Sequence, residues 1–560
     1  MFMIVPAWFA CAHPPETEPL PEPPPGIEVV VREDPGSDSW TVTYTFPEPV
    51  SGLWWTRTRN QFRADSWEAE GGTAGETEGV TGARWGEYLA VDGDRDTFTL
   101  RFTTDTAYKE KDYELNLAFS EGSRLLYTGH LRVAAMARSE AGIERQDPLP
   151  MRWRLETASE RGIFVGRASA DGSMSVGDLN DIYIYFGDLE PVADARVTAF
   201  IDPGMPTWMV EDTRAFVPEV FAYFAGATGA NLNFAPTVFL SYIPGEEGME
   251  SYGGGGLFHQ MQLGAMGQAW QAPTEARRKT WLWFLAHESF HMWNGQMFPT
   301  RGGAAEEWLS EGSASYFADR ALRDLGHMDD AQFDAVMREH ASTCLHAVGD
   351  APLRTAHVTG RYRAFYACGE SLMFVTERQA EAAGSNLGAV FGDLFRRAGI
   401  LDGWSTYDLL EGIEALAEDP LAPAFIMEAL SEGLDAETLG AALEGAGLPV
   451  AIKQPWEVER SEEATQRIIA RRLGACDCDG EVSAENREGA IAFQPLETCD
   501  ALAQGMVVTE IDGHPVATVA ALEALETAIA VGEQVTLDGG VVLECGALAP
   551  LAPVFMAPDE

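Results

Sequence analysis

Between Ile27 and about Pro203, apolar and polar residues alternate with a period of two, in runs such as IEVVVRE, SWTVTYTF, DTFTLRFTT, DIYIYFGDL and ARVTAFI. These runs are rich in β-branched and aromatic residues and are separated by Gly, Asp and Pro clusters. They predict an antiparallel β domain of sandwich type over residues 27–204. From about Met205 the apolar period lengthens, beginning with WMVEDTRAFVPEVFAYFAGATG, and predicts a mainly helical domain over residues 205–452. Within it, two strand-like pieces, APTVFLSYI and the Gly-rich YGGGGLFHQMQL, precede the return of helices. Beyond about Lys453, short strands resume around one helix, VATVAALEALETAI, so residues 453–560 read as a small α/β module. No internal repeat is evident. No later stretch reaches the roughly 18 uninterrupted apolar residues of a spanning helix. The expected fold class is therefore α+β and multidomain.

Composition changes this picture in three ways. The 560 residues suit two to four domains, and 46% hydrophobic with 22% charged residues is ordinary for a folded protein. The charge is not ordinary: 38 basic residues against 87 acidic ones leave a net charge of −49, and Lys109, Lys111, Lys279 and Lys453 are the only lysines. Such a surface repels nucleic acid phosphates and anionic lipid, which excludes a nucleic-acid-binding role. Of the seven cysteines, Cys344, Cys368, Cys476, Cys478, Cys499 and Cys545 form an even set once Cys11 is set aside. That count suits disulfides in an oxidising compartment, against the alternative of buried thiols in a cytosolic enzyme, and it leaves the pairing open. Cys476-Asp-Cys478 has no second pair at zinc-ribbon spacing, so no metal site is read there.

The first residues, MFMIVPAWFAC, form a short apolar run followed by a Pro-rich tether up to Gly26. The run resembles the end of a bacterial lipoprotein signal peptide, with Cys11 as the lipidated residue, although no Lys or Arg precedes it. The resemblance implies export to the cell envelope, with membrane contact only through a lipid at Cys11. A disordered apolar terminus is the competing reading.

The candidate chemistry lies in TWLWFLAHESFHMWNGQ, which carries His287, Glu288 and His291. Positions i and i+4 of a helix share one face, so both imidazoles can reach one ion, and Glu288 beside them can reach a water on that ion. A hydrolytic zinc needs three protein ligands and one open position. Glu311 follows in EEWLSEGSASYFADRAL, on a segment able to pack antiparallel to the first, with Gly312, Ser313, Ala314 and Ser315 small enough for close approach. The rival reading is a core helix with two satisfied histidines and an acid placed near a helix start by the macrodipole.

HESFHMWN followed by EEWLSEGSASY resembles the gluzincin zinc peptidases, in particular the bacterial glycyl aminopeptidase family. The resemblance covers nearly the whole chain after residue 27 and implies a thermolysin-like catalytic domain over 205–452. It implies one Zn2+ held by His287, His291 and Glu311, a peptide or protein substrate, and Glu288 as general base. Tyr366-Ala-Cys-Gly369 resembles that family's Tyr-x-x-Gly, which would make Tyr366 the oxyanion stabiliser, with Tyr362 as rival. GGGGLFH resembles its Gly-Gly-Leu-Glu-His strand and would set Gly255, Gly256, Leu257 and Phe258 beside the substrate. Phe258 is a departure, because the family has Glu there and related aminopeptidases use an acid to hold the substrate's free amine. Glu246, Glu247 and Glu250 are nearby replacements; otherwise the N-terminal requirement is relaxed. Asp319 is a candidate acceptor for orienting the histidines. GMVVTEIDGHPVATVAALEAL resembles the late part of a PDZ domain, with peptide capture or packing on the catalytic domain as its role. Two other functions compete: a non-catalytic peptide-binding lipoprotein that keeps the fold, and a zinc hydrolase acting on an ester or epoxide.

Overall fold

A computed structural model gives the architecture. It describes residues 25–558 apart from 35–38, 58–62, 64–65, 70–71, 77–86, 104–112, 140–141, 158–161, 170–171, 246–248, 350, 402, 417–420, 459, 479–483, 494–498, 500–501, 503–505, 546–547 and 549–550. The expected signal segment with Cys11, and Glu246 and Glu247, lie outside the described residues. The chain divides into two compact units between Glu190 and Pro191.

The first unit is β-rich. Long strands Ser39–Trp55 and Glu87–Thr103 run antiparallel at the centre of a nine-stranded sheet, and a five-stranded sheet is built around Tyr183–Gly187. The alternating pattern turns Trp40, Val42, Tyr44 and Phe46 inward, and Trp40 meets Phe186 of the other sheet edge to face at 4.8 Å. The two sheets therefore share one core, as a sandwich does. The pairing is not wholly antiparallel: Ile27–Glu33 runs parallel to Met151–Glu156.

The second unit opens with strands that the alternation had assigned to the first. Thr198–Ile201, from the run ARVTAFI, pairs in parallel with Thr237–Ile243 in a separate five-stranded sheet. Helix α1 (Thr207–Thr228) makes the crossover between them. Gln260–Met266 continues the parallel set, and the Gly-rich Ser251–Leu257 pairs antiparallel with it as the edge strand.

Four further helices follow, α2 (Glu275–His291), α3 (Glu307–Asp324), α4 (Asp330–Val348) and α5 (Arg363–Ala382), and α2, α3 and α5 carry the site. Helix α2 starts where the Thr274 side chain accepts a hydrogen bond from the Arg277 N–H, an N-cap that satisfies one otherwise orphaned donor. Beneath the site, Phe290 of α2 stacks on Phe317 of α3 at 4.2 Å, and Phe224 of α1 meets Phe290 edge to face at 5.0 Å. Burying such rings drives the helices together.

The C-terminal residues have their own small core of Ile469, Leu473, Ile491, Val508, Leu522, Leu525, Val535 and neighbours. Disulfides Cys476–Cys545 and Cys478–Cys499 staple it, and Cys344–Cys368 joins α4 to α5. The chain end then returns: Val554–Met556 pairs with Ala451–Lys453, and the Phe555 N–H donates to Ser342 Oγ on α4. Among the described residues, no helix is long and apolar enough to cross a membrane.

Candidate metal centre

His287 and His291, one turn apart on α2, project toward Glu311 of α3. His287 Nε2 and His291 Nε2 are 3.2 Å apart, and Glu311 Oε2 lies 3.3 Å from the first and 3.4 Å from the second. Donors at bonds of 2.0–2.1 Å on a tetrahedral ion stand about 3.3 Å from each other. The three atoms thus form one face of a tetrahedron of zinc dimensions. The donor chemistry, two imidazoles and a carboxylate, fits the same ion.

The turn after α2 explains the orientation of His291. Residues Met292–Met297 form a wider π-turn, which brings Asn294 Oδ1 to 3.0 Å from His291 Nδ1. Both donors of the Asn294 amide are committed on α3, to Ser310 O and Ser313 Oγ, each at 2.8 Å. Its oxygen must therefore accept, His291 Nδ1 must carry the proton, and Nε2 keeps its lone pair for a metal. Ser315 Oγ sits 3.3 Å from His287 Nδ1, where its hydroxyl can accept from or donate to that ring. Asp319 does not: it accepts a hydrogen bond from Trp283 Nε1 at 2.9 Å, and it is the Trp283 ring that packs on His287. Sequence reading had valued Ser313 and Ser315 only for their size. Asn294 carried no such signal, since spacing alone does not announce the π-turn that places it.

The electrostatics favour a cation. Burial raises the Glu311 carboxyl, but the charges and hydrogen bonds of His291 and His287 outweigh it and hold Glu311 well below the ordinary carboxylate range. Burial lowers His291, yet Glu311 and Glu288 overcome that and lift it to about 9. Glu288, buried beside both rings, is raised by desolvation, partly offset by the two histidines. A carboxyl raised in this way is a better proton acceptor than a free one.

Tyr366, on α5, lies parallel to the His287 ring at 5.7 Å. Burial and the neighbouring Glu311 and Glu288 charges push its hydroxyl well above the usual phenol range, and that hydroxyl faces Glu311. It stays a neutral donor. Tyr362, before the first turn of α5, turns toward Phe365 and is 49% exposed.

The Gly-rich edge strand lies against the end of α2. A Cβ on Gly256 would come within 3.2 Å of the flexible Met292 Cε and 3.6 Å of His291 Cβ, so the strand runs directly against the His291 turn. Gly255 precedes it in the strand, and Leu257, buried, ends it. Phe258 is in the turn beyond, 59% exposed, with its ring stacked on His259 at 3.9 Å. The structure thus gathers His287, Glu288, His291, Glu311, Tyr366 and Gly256, while Phe258 packs on the turn itself. Glu250 is ion-paired with Arg277 at 2.9 Å.

No protein-family model and no curated protein matches the sequence. Among solved structures, the chain is similar to an aminopeptidase N family protein from Idiomarina loihiensis, with a TM-score of 0.63 and 14% identity over 95% of this chain and 98% of that one. An M1 zinc metallopeptidase from Deinococcus radiodurans aligns at 0.38 with 14% identity, over 73% of this chain and 93% of that one. Yeast LTA4 hydrolase aligns at 0.42 with 12% identity, over 73% and 68%. The first of these structures establishes a shared fold: mixed α/β and multidomain, with a β-rich N-terminal part and a helical part that holds the centre.

Proposed function

We propose that this chain is a zinc-dependent peptidase, with His287, His291 and Glu311 as metal ligands. The observation that carries the reading is the triangle of 3.2, 3.3 and 3.4 Å between their donor atoms. A zinc ion bound there supplies Lewis acidity and a water of lowered pKa. Glu288 then takes the proton of the attacking water and delivers it to the leaving amine. Tyr366 donates its hydroxyl hydrogen to the oxyanion that forms on the scissile carbonyl. Asn294 holds the His291 imidazole in the tautomer that leaves Nε2 free, and Ser315 does the same for His287 when its hydroxyl accepts from Nδ1. The edge strand Ser251–Leu257, with its bare backbone at Gly255 and Gly256, is suited to run beside an extended peptide.

The remaining readings belong with this one. Three disulfides suit an oxidising compartment, in keeping with export and a lipid at Cys11. The C-terminal module, with strands flanking helix Val519–Val531, is assigned as PDZ-like. The test is hydrolysis of a mixed peptide library by the purified zinc-loaded chain, with chelated protein and Glu288→Gln as controls. Cleavage that both controls lose is expected. A zinc-loaded chain that binds peptides and cleaves none would overturn the reading in favour of a non-catalytic binding protein.

A further inference from the structure

A second group of metal-ligating side chains lies where α3, α4 and α5 meet. Asp319 of α3 is 2% exposed and Glu370 of α5 fully buried, while His340 of α4 keeps a quarter of its side chain open to solvent. His340 Nδ1 lies 3.1 Å from Glu370 Oε2, and its Nε2 lies 4.0 Å from Asp319 Oδ2. The two carboxyl groups face one another, and Glu339 adds a third negative charge nearby. Both Glu370 oxygens are buried and accept no hydrogen bond from a well-placed donor. Arg320, the cation on the same helix as Asp319, is taken by Glu377 at 3.1 Å and Asp324 at 3.5 Å.

Two facing carboxylates cannot both remain ionised in a buried site without a cation, and among the described residues one part-exposed imidazole is the cation this site offers. The frame around them is rigid. Cys344–Cys368 ties α4 to α5, with Cys344 one turn beyond His340 and Cys368 two residues before Glu370. Backbone contact between Gly312 and Gly369 fixes α3 against α5. Three donors from three helices are thus pre-positioned, and the exposed edge of His340 gives an ion a way in.

We infer that Asp319, His340 and Glu370 bind a second divalent ion of the Zn2+ class. Mixed nitrogen and carboxylate donors suit such borderline cations better than Ca2+ or Mg2+, which take all-oxygen cages. Asp319 Oδ2 also accepts the hydrogen bond from Trp283, so an ion on this carboxylate steadies the ring that packs on His287. Its role is structural.

The test counts metal. The full chain is incubated with excess Zn2+, desalted, and its zinc-to-protein ratio measured by elemental analysis. Two equivalents are expected for the wild type, one for Glu370→Gln, one for His287→Ala and none for the double variant. A wild type with one equivalent, lost in His287→Ala, overturns the inference and leaves a carboxyl pair sharing a proton. Two equivalents retained in both Glu370→Gln and His340→Ala also overturn it, because the second ion then sits elsewhere. If Glu370→Gln does not fold, Asp319→Asn takes its place, and the wild-type count decides independently. Two equivalents retained in His287→Ala but reduced to one in Glu370→Gln would instead fault the catalytic ligand assignment and leave this one standing.

Discussion

Gly312 and Gly369 touch backbone to backbone: a Cβ built on Gly312 would lie 2.4 Å from the Gly369 Cα, and one on Gly369 would lie 2.5 Å from Trp308 O. Gly312 follows Glu311, and Gly369 stands one turn beyond Tyr366. The close crossing of α3 and α5 is what allows a metal ligand on one helix and a tyrosine on the other to face the same small volume.

Gly312→Ala is therefore expected to force the two helices apart. Overpacking of this kind costs about 1–3 kcal/mol. Denaturant unfolding should show that loss, and chelator competition should show weaker zinc binding as Glu311 shifts. Gly226→Ala is the control, since a Cβ there meets nothing and α1 should gain about 0.5–1 kcal/mol. Equal effects at the two positions would sink the argument.

Glu288→Gln should keep zinc and lose nearly all turnover, because the proton acceptor goes while the ligands stay. His287→Ala, His291→Ala and Glu311→Ala should each lower zinc affinity, since each removes one of three protein donors. Turnover of Glu288→Gln within a few-fold of wild type would remove Glu288 from the mechanism.

Tyr366→Phe should fold normally and bind substrate but lose roughly two orders of magnitude in kcat, as removal of an oxyanion donor does. Tyr362→Phe should be silent, because that ring faces Phe365 and solvent. The reverse outcome would exchange the two roles.

Asn294→Ala leaves all three ligands in place but frees the His291 ring. Loss of such an orienting partner weakens metal binding about 10–100-fold. Zinc titration should show the loss, and Asn294→Asp, which keeps an acceptor for His291 but sets a carboxylate oxygen against Ser310 O, should recover only part of it. An unchanged affinity would mean that the π-turn alone sets the ring.

The grouping of the three proposed ligands was legible because its chemistry is local: a histidine pair at i and i+4 states its geometry in the sequence. Glu311 was reachable through spacing and helix packing. Asn294 was not, because helical spacing does not announce a π-turn, and it is the wider turn that brings Oδ1 under His291. Thr198–Ile201 reads as a strand from its alternation, but alternation does not say which sheet a strand joins. The disulfide partners were beyond reach, since six cysteines allow 15 pairings and only the fold selects one. Phe258 shows the limit of matching strings: its place in the sequence suggests the strand, whereas the hairpin closes one residue earlier and turns Phe258 onto His259.

That hairpin sets the last expectation. An aminopeptidase needs a carboxylate beside the cleft to pair with the substrate's free α-amine. Here the strand Ser251–Leu257 contains no acidic residue, and Gly256 is the one set against His291. Glu250, just before it, is engaged by Arg277, and Phe258 offers only an apolar ring on the turn. With no anchor from this strand, free and N-acetylated versions of one peptide should be cleaved at rates within about tenfold of each other. A charged hydrogen bond of about 1.5–3 kcal/mol would separate them by more than that. A strong preference for the free amine would refute the expectation and place the anchor off the strand. Glu307 would then be the first residue to change, because it sits one turn before Glu311 on α3 and its charge is felt by Tyr366. If Glu307→Gln abolished that preference while leaving cleavage of the acetylated peptide untouched, the amine site would be Glu307.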